Sequence, residues 1–161
     1  MQKDDLEALC SLLEQKAELL EKYDGLSVRL LIDDFDKLEN LLDVRHGFLL
    51  EFNTLTPKVE AIVARQPLPE QELLHAMLRY EKSPGAESPE WDRVQQLLSK
   101  MKTLIDAINA KTQQTDERFS QYRQELLEQL HQLSKGQKVA SYVGSASNTD
   151  LFNGRRMDEK L

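Results

Sequence analysis

Apolar side chains recur along this chain at steps of three and four, the spacing of helices that bury one face. Leu6, Leu9, Cys10, Leu12, Leu13, Ala17, Leu19 and Leu20 follow it, interleaved with Glu, Gln and Lys. The pattern weakens at Asp24-Gly25-Leu26-Ser27 and resumes at Val28, Leu30, Leu31 and Ile32. Asp33-Asp34-Phe35-Asp36 then supplies cap-type residues and early acidic charge, which suit the start of a new helix. The spacing predicts a first helix over 3–30, with the break somewhere in 24–36. Phe35, Leu38, Leu42, Leu49, Phe52, Val59, Ile62 and Val63 predict a second over 34–65, with Arg45 in an apolar slot. Thr56-Pro57 interrupts that run by a kink or a restart, because proline lacks the amide hydrogen.

Pro67, Pro69, Pro84 and Pro89 then cluster in a connecting stretch. Between them Leu73, Leu74, Met77, Leu78 and Tyr80 predict a short helix over 69–81, and Ser83-Pro84-Gly85-Ala86-Glu87 reads as loop. Ser88-Pro89-Glu90 is an N-cap followed by proline in the first helical position. No Gly or Pro returns until Gly136, so a helix of about 45 residues and about 70 Å is expected over 89–135. Trp91, Val94, Leu98, Met101, Ile105, Ile108, Thr112, Thr115, Phe119, Tyr122, Leu126, Gln129 and Leu133 alternate steps of three and four throughout it. That is heptad spacing, which calls for a left-handed helix-on-helix seam. Thr112, Thr115 and Gln129 read as its less buried layers. The fold class that follows is all-α: an elongated antiparallel bundle of three long helices plus one short helix, with coiled-coil-like packing over 1–136. Residues 137–161 lose any sustained period and read as a tail that is flexible or ordered by a partner.

Composition agrees with one helical domain: 161 residues, 40% apolar and 30% charged, with only 6 Gly and 5 Pro. A net charge of −7 and a pI near 5.1 argue against nucleic-acid binding, which needs a basic face. No run approaches the roughly 18 apolar residues of a membrane span, and the N-terminal residues lack the apolar core of a signal peptide. No membrane insertion is expected, and the cytoplasm is the expected compartment.

Candidate chemistry is sparse. His46, His75 and His131 lack the helical i, i+4 partner of a zinc site. The Asp33, Asp34, Asp36 cluster lacks the ligand spacing of a calcium loop. Cys10 lies on an apolar helix face, where nothing lowers a thiol pKa. No phosphate-binding loop, nucleophile elbow or Cys/His pair is present, so neither enzymatic activity nor a metal or cofactor is expected. What remains is amphipathicity. Most of the heptad seam must be core, and the positions outside it carry the interest: Leu127 and Leu130 late in the long helix, with Val139, Tyr142, Val143, Leu151 and Phe152 in the tail.

The stretch Arg29-Leu30-Leu31-Ile32-Asp33-Asp34-Phe35-Asp36-Lys37-Leu38-Glu39-Asn40-Leu41-Leu42 resembles the middle of the FlgN family of flagellar export chaperones. Leu104-Ile105-Asp106-Ala107-Ile108-Asn109 is similar to that family's long C-terminal helix. The resemblance implies a cytoplasmic chaperone that masks the terminal helices of flagellar hook-filament junction proteins and delivers them to the export gate. It places substrate contacts on Tyr122, Leu126, Leu127, Leu130 and Leu133, and Tyr142 is the expected tail contact at the chaperone or gate surface. The alternative is a structural coiled-coil homodimer or a generic protein-interaction scaffold.

Overall fold

The computed structural model describes residues 1–82 and 85–158, without the side chains of 141, 142 and 144–158. The described chain is all-α. Helix α1 spans Lys3–Ile32, α2 Leu38–Val63, α3 Leu68–Leu78 and α4 Asp92–Asp158, with single 3-10 turns at Phe35–Lys37 and Pro89–Trp91. The residues group into two compact units, Met1–Asp116 and Glu117–Leu161.

In the first unit, side-chain pairs along the helices set their directions. Lys16 on α1 meets Phe52 and Thr56 on α2, whereas Tyr23, two turns later, meets Arg45. Those two helices are therefore antiparallel. On α4 the order is the same as on α1: Arg93 reaches Glu14, Lys100 reaches Glu21 and Lys111 reaches Asp24, at 2.6, 2.7 and 2.6 Å. α1 and α4 run parallel, both against α2. The short α3 returns antiparallel to the end of α2, with His75 beside Glu60 and the Gln71 amide donating to the Ala64 and Gln66 carbonyls.

The core lies where these elements converge. Leu9, Cys10, Leu13 and Ala17 of α1, Val59, Ile62 and Val63 of α2, Leu74 and Met77 of α3, and Trp91, Val94, Leu98 and Met101 at the start of α4 form one buried cluster. The expected period is visible in this list. Burial of such side chains supplies about 1.5–3 kcal/mol each before ordering costs are counted.

Local differences from the sequence expectation have physical causes. Pro57 sits inside α2 without ending it: Leu55 and Val59 on either side of it are buried, and that packing outweighs one lost backbone hydrogen bond. Of the cap-type residues in 33–36, Asp34 makes no side-chain bond to the turn it precedes, and Asp33 ends α1, its Oδ2 accepting from both the Nε and an Nη of Arg29. α3 stops at Leu78 through a Schellman motif, with the Tyr80 amide bonding the Met77 carbonyl and the Glu81 amide that of Ala76. The left-handed position falls on Tyr80, at φ 60°, where glycine is the usual occupant.

α4 is continuous through Thr112 and Thr115, whose hydroxyls donate to the carbonyls of Ile108 and Lys111 one turn back. This intrahelical bond lets a threonine occupy a seam position, and Thr115 is only 4% exposed rather than a less buried layer. The helix also passes Gly136, beyond the expected end at 135, and runs to Asp158. An isolated glycine costs a helix about 1 kcal/mol relative to alanine and does not stop it without a following proline or a left-handed turn.

Lys16 is the charged group most committed to the interior of this unit. It is 8% exposed, its Nζ donates to the Thr56 hydroxyl at 2.9 Å and lies 4.2 Å from the centre of the Phe52 ring. Burial holds its ammonium below the ordinary lysine value of 10.5, and Glu60 opposes that shift. With the folded value lowered, the unfolded chain binds more protons between that value and 10.5, so this group makes stability rise with pH across that window. Lys16→Met removes the buried charge. The variant should be more stable by about 1 kcal/mol at pH 7 in urea unfolding, with the advantage shrinking towards pH 10. A variant less stable than the parent at pH 7 would overturn this account.

Candidate partner-binding surface

The second unit contains the distal part of α4. Phe119 and Tyr122 are half-buried there, and beyond them the apolar positions, on the seam and beside it, open to solvent. Leu126, Leu127, Leu130 and Leu133 are 40, 56, 61 and 65% exposed. At 100° per residue, Leu126, Leu130 and Leu133 fall within one narrow strip, with Leu127 on its flank. A water-facing strip of three leucines on successive turns has no role in the cluster described above.

The other expected contact residues divide. Val139 and Val143 are 62 and 64% exposed, yet thirteen and seventeen residues on from Leu126 they point about 140° and 100° away from it on the opposite side from Leu127. They do not extend the leucine strip. Tyr142, Leu151 and Phe152 lie in α4, and their side chains are outside the described residues. The strip is continued instead by Gln137 and Ala140, so its strongly apolar part ends at Leu133.

The charged surroundings are mixed. Segment 117–161 carries seven Lys and Arg against six Asp and Glu. The acidic excess of the chain, −7 overall, therefore resides in the first 116 residues. Arg123 stands on the strip's edge between Phe119 and Leu127, and Glu125 and Glu128 lie away from it.

Reactive groups elsewhere are quiet. Cys10 is 1% exposed and burial pushes its thiol up, with the Arg93 guanidinium opposing; a protonated buried thiol is a poor nucleophile. Among the described residues no group of three His, Cys, Asp or Glu side chains is placed to hold a metal ion. His75 has Glu60 at 3.8 Å, an exposed pair. An open cleft of about 620 Å³ lies between the end of α3 and α4, bordered by Tyr80, Lys82, Gln95 and Lys102. Burial and Asp106 raise the Tyr80 phenol there, away from any role as a base at neutral pH.

A smaller cavity of about 230 Å³ was not foreseen from the sequence. Leu19, Leu20 and Tyr23 of α1, Phe48, Leu49 and Phe52 of α2, and Ile105 and Ile108 of α4 line it. Each of these residues fits a helical apolar period, and only the three-helix arrangement leaves a gap among them. Arg45 was the one visible signal, a cation in an apolar slot; its guanidinium lies 4.1 Å from the centre of the Tyr23 ring.

These features define an all-α helical bundle with an exposed apolar strip late in its last helix. No described helix is long and apolar enough to cross a membrane. No family model, curated protein or solved structure matches the chain.

Proposed function

We propose that this protein is a non-enzymatic chaperone that masks an amphipathic helix of another protein along the distal part of α4. The single observation that carries the reading is the strip of Leu126, Leu130 and Leu133, exposed on three successive turns of a helix whose same face is buried upstream at Ile108 and Thr115. Such a strip is an apolar half-seam that a partner helix completes by the same knobs-into-holes packing. The FlgN-like stretches in 29–42 and 104–109 name the partner class: the terminal helices of flagellar hook-filament junction proteins, which polymerise through amphipathic helices and need shielding while free. Delivery to the export gate in the cytoplasm belongs to the same proposal.

The homodimer alternative has one specific test in the heptad. With Phe119, Leu126 and Leu133 at a, the d layers are Tyr122, Gln129 and Gly136. A parallel in-register dimer would then set Arg118 of one copy at g against Arg123 of the other at e. Two weak core layers and a like-charge flank disfavour pairing with a second copy.

Titration calorimetry of the full chain against synthetic terminal-helix peptides of hook-filament junction proteins tests the proposal. One-to-one binding with low-micromolar or tighter Kd is expected, with the free chain monomeric by sedimentation. No heat with any such peptide, or a stable dimer at low micromolar concentration, sinks it.

A further inference from the structure

In the first unit, α3 fills only part of the trough between α2 and α4. His75 lies 3.8 Å from Glu60 of α2, and Met77 and Tyr80 border the cleft against Leu98 and Lys102 of α4. The helix stops at Leu78, Tyr80 takes the left-handed position, and the chain turns back until the Ala86 carbonyl accepts from the Gln95 amide near the start of α4. Beyond that stop, α2 runs from Thr56 to Leu42 and α4 from Lys102 to Asp116, about 21 Å along each. Arg45 and Thr112, joined at 3.3 Å, keep the two helices in contact there. The unit is thus four helices thick at one end and three at the other.

At 100° per residue, Leu49 and Leu42 fall within about 20° of Glu60, on the side of α2 that faces α3. They are 41 and 40% exposed. On α4, Asp106, Asn109, Gln113 and Asp116 fall within about 40° of Lys102, and all four are exposed. Asp106 acts on the Tyr80 phenol at the end of α3, which places it on this side of α4. Lys100 and Lys111, on another face of α4, pair with Glu21 and Asp24 of α1. Asp106 and Asp116 have no ion-pair partner among the described residues.

We propose that this open stretch seats a helix from a partner protein, amphipathic and basic on one flank, about four turns long and continuing the line of α3. Continuity sets the path: Leu74 and Met77 of α3 already pack into the same trough as part of the core cluster, and a partner helix there completes a four-helix bundle along the whole unit. The lining sets the chemistry. Leu42 and Leu49, two turns apart on α2, call for an apolar stripe at matching spacing, and the unpaired carboxylates on α4 call for Lys or Arg on the flank beside them. This surface is separate from the strip at Leu126, Leu130 and Leu133, and the proposal does not rest on that strip.

The probe is a capped helical peptide of about 15 residues with leucine at its a and d positions, lysine on the flanks and alanine elsewhere; the same peptide with glutamate for lysine is its match. The host is the full chain with Leu126, Leu130 and Leu133 replaced by glutamine, so that the distal strip cannot contribute. Calorimetry should give one-to-one binding of the lysine peptide with Kd on the order of 50 µM, and the glutamate peptide should bind about tenfold more weakly or less. The Leu42, Leu49 and Ile105 methyl resonances should shift. Leu42→Gln with Leu49→Gln, checked for unchanged helical circular dichroism, should weaken the lysine peptide about tenfold or more. Asp106→Asn with Asp116→Asn should bring the two peptides to the same affinity within about twofold. Val44→Gln with Leu50→Gln, at positions 43 and 54% exposed that lie about 80° or more from Leu42 around α2, should stay within about threefold of the host. No binding of the lysine peptide, equal affinity for the two peptides in the host, or equal losses in the two α2 pairs overturns the proposal. If the trough methyls shift on dilution of the free chain, the occupant is a second copy and the partner assignment fails.

Discussion

Trp91→Ala should destabilise the first unit by about 3–5 kcal/mol, the range for removing a buried aromatic side chain. Trp91 is 4% exposed and stands in the core cluster with Leu9, Leu13, Val63, Leu74 and Met77, so its removal leaves a cavity in that cluster. The backbone around it adds to the cost. Pro89 opens the 3-10 turn, the Trp91 amide donates to the Ser88 carbonyl at 2.9 Å, and α4 starts at the next residue. The indole therefore fixes the start of α4 in the buried cluster as well as filling volume. A domain of this size has only about 5–15 kcal/mol of net stability, so the variant should unfold at a much lower urea concentration. Circular dichroism measures it, because the only tryptophan is lost with the mutation. Leu68→Ala, at a position 73% exposed, is the matched control and should stay within about 0.5 kcal/mol of the parent. A Trp91→Ala loss below about 1 kcal/mol would mean that the cluster is not the core.

The helices and their buried faces were legible because one rule governs them. Leu9, Leu13, Val94, Leu98 and Met101 are apolar at helical spacing, and each is buried. The heptad seam correctly lines the interior as far as Thr115. Beyond that point the same pattern continues in the sequence while burial stops. A heptad states that a partner face exists, not whether the chain itself supplies it. Leu126 and Leu133 look identical to Leu98 until the neighbouring elements are known.

Breaks were harder to read than faces. Pro57 and Gly136 both carry the local cost that marks a boundary, and in both cases the helix continues. Tyr80 occupies a left-handed position that nothing in its chemistry announces. Long-range pairs were invisible in principle: Lys16 with Thr56, Arg45 with Thr112 and Lys111 with Asp24 are 40, 67 and 87 residues apart. The apolar cavity belongs to this class, since its eight lining residues come from three helices and every one of them satisfies its own helix's pattern.

Replacing Leu126, Leu130 and Leu133 together by glutamine should abolish partner-helix binding while leaving the first unit intact. The three side chains are 40, 61 and 65% exposed in the free protein, so a partner that covers them would bury apolar surface worth about 1 kcal/mol or more at each position. Their sum corresponds to a loss of affinity of about 100-fold or greater. Glutamine is the informative replacement because its helix propensity is close to that of leucine, so helical circular dichroism should be unchanged. The urea midpoint of the Met1–Asp116 unit should be unchanged as well, since none of the three belongs to its core cluster. Val139→Gln with Val143→Gln provides the directional control. These residues are as exposed as the leucines but face away from the strip, so this pair should retain binding within about threefold, a difference under 1 kcal/mol. Equal losses in the two variants would show that the distal helix acts by general hydrophobicity. An unaffected leucine variant would move the binding site off α4 altogether, which leaves the exposed apolar positions of α2, Leu42, Leu49 and Leu50, as the next surface to alter.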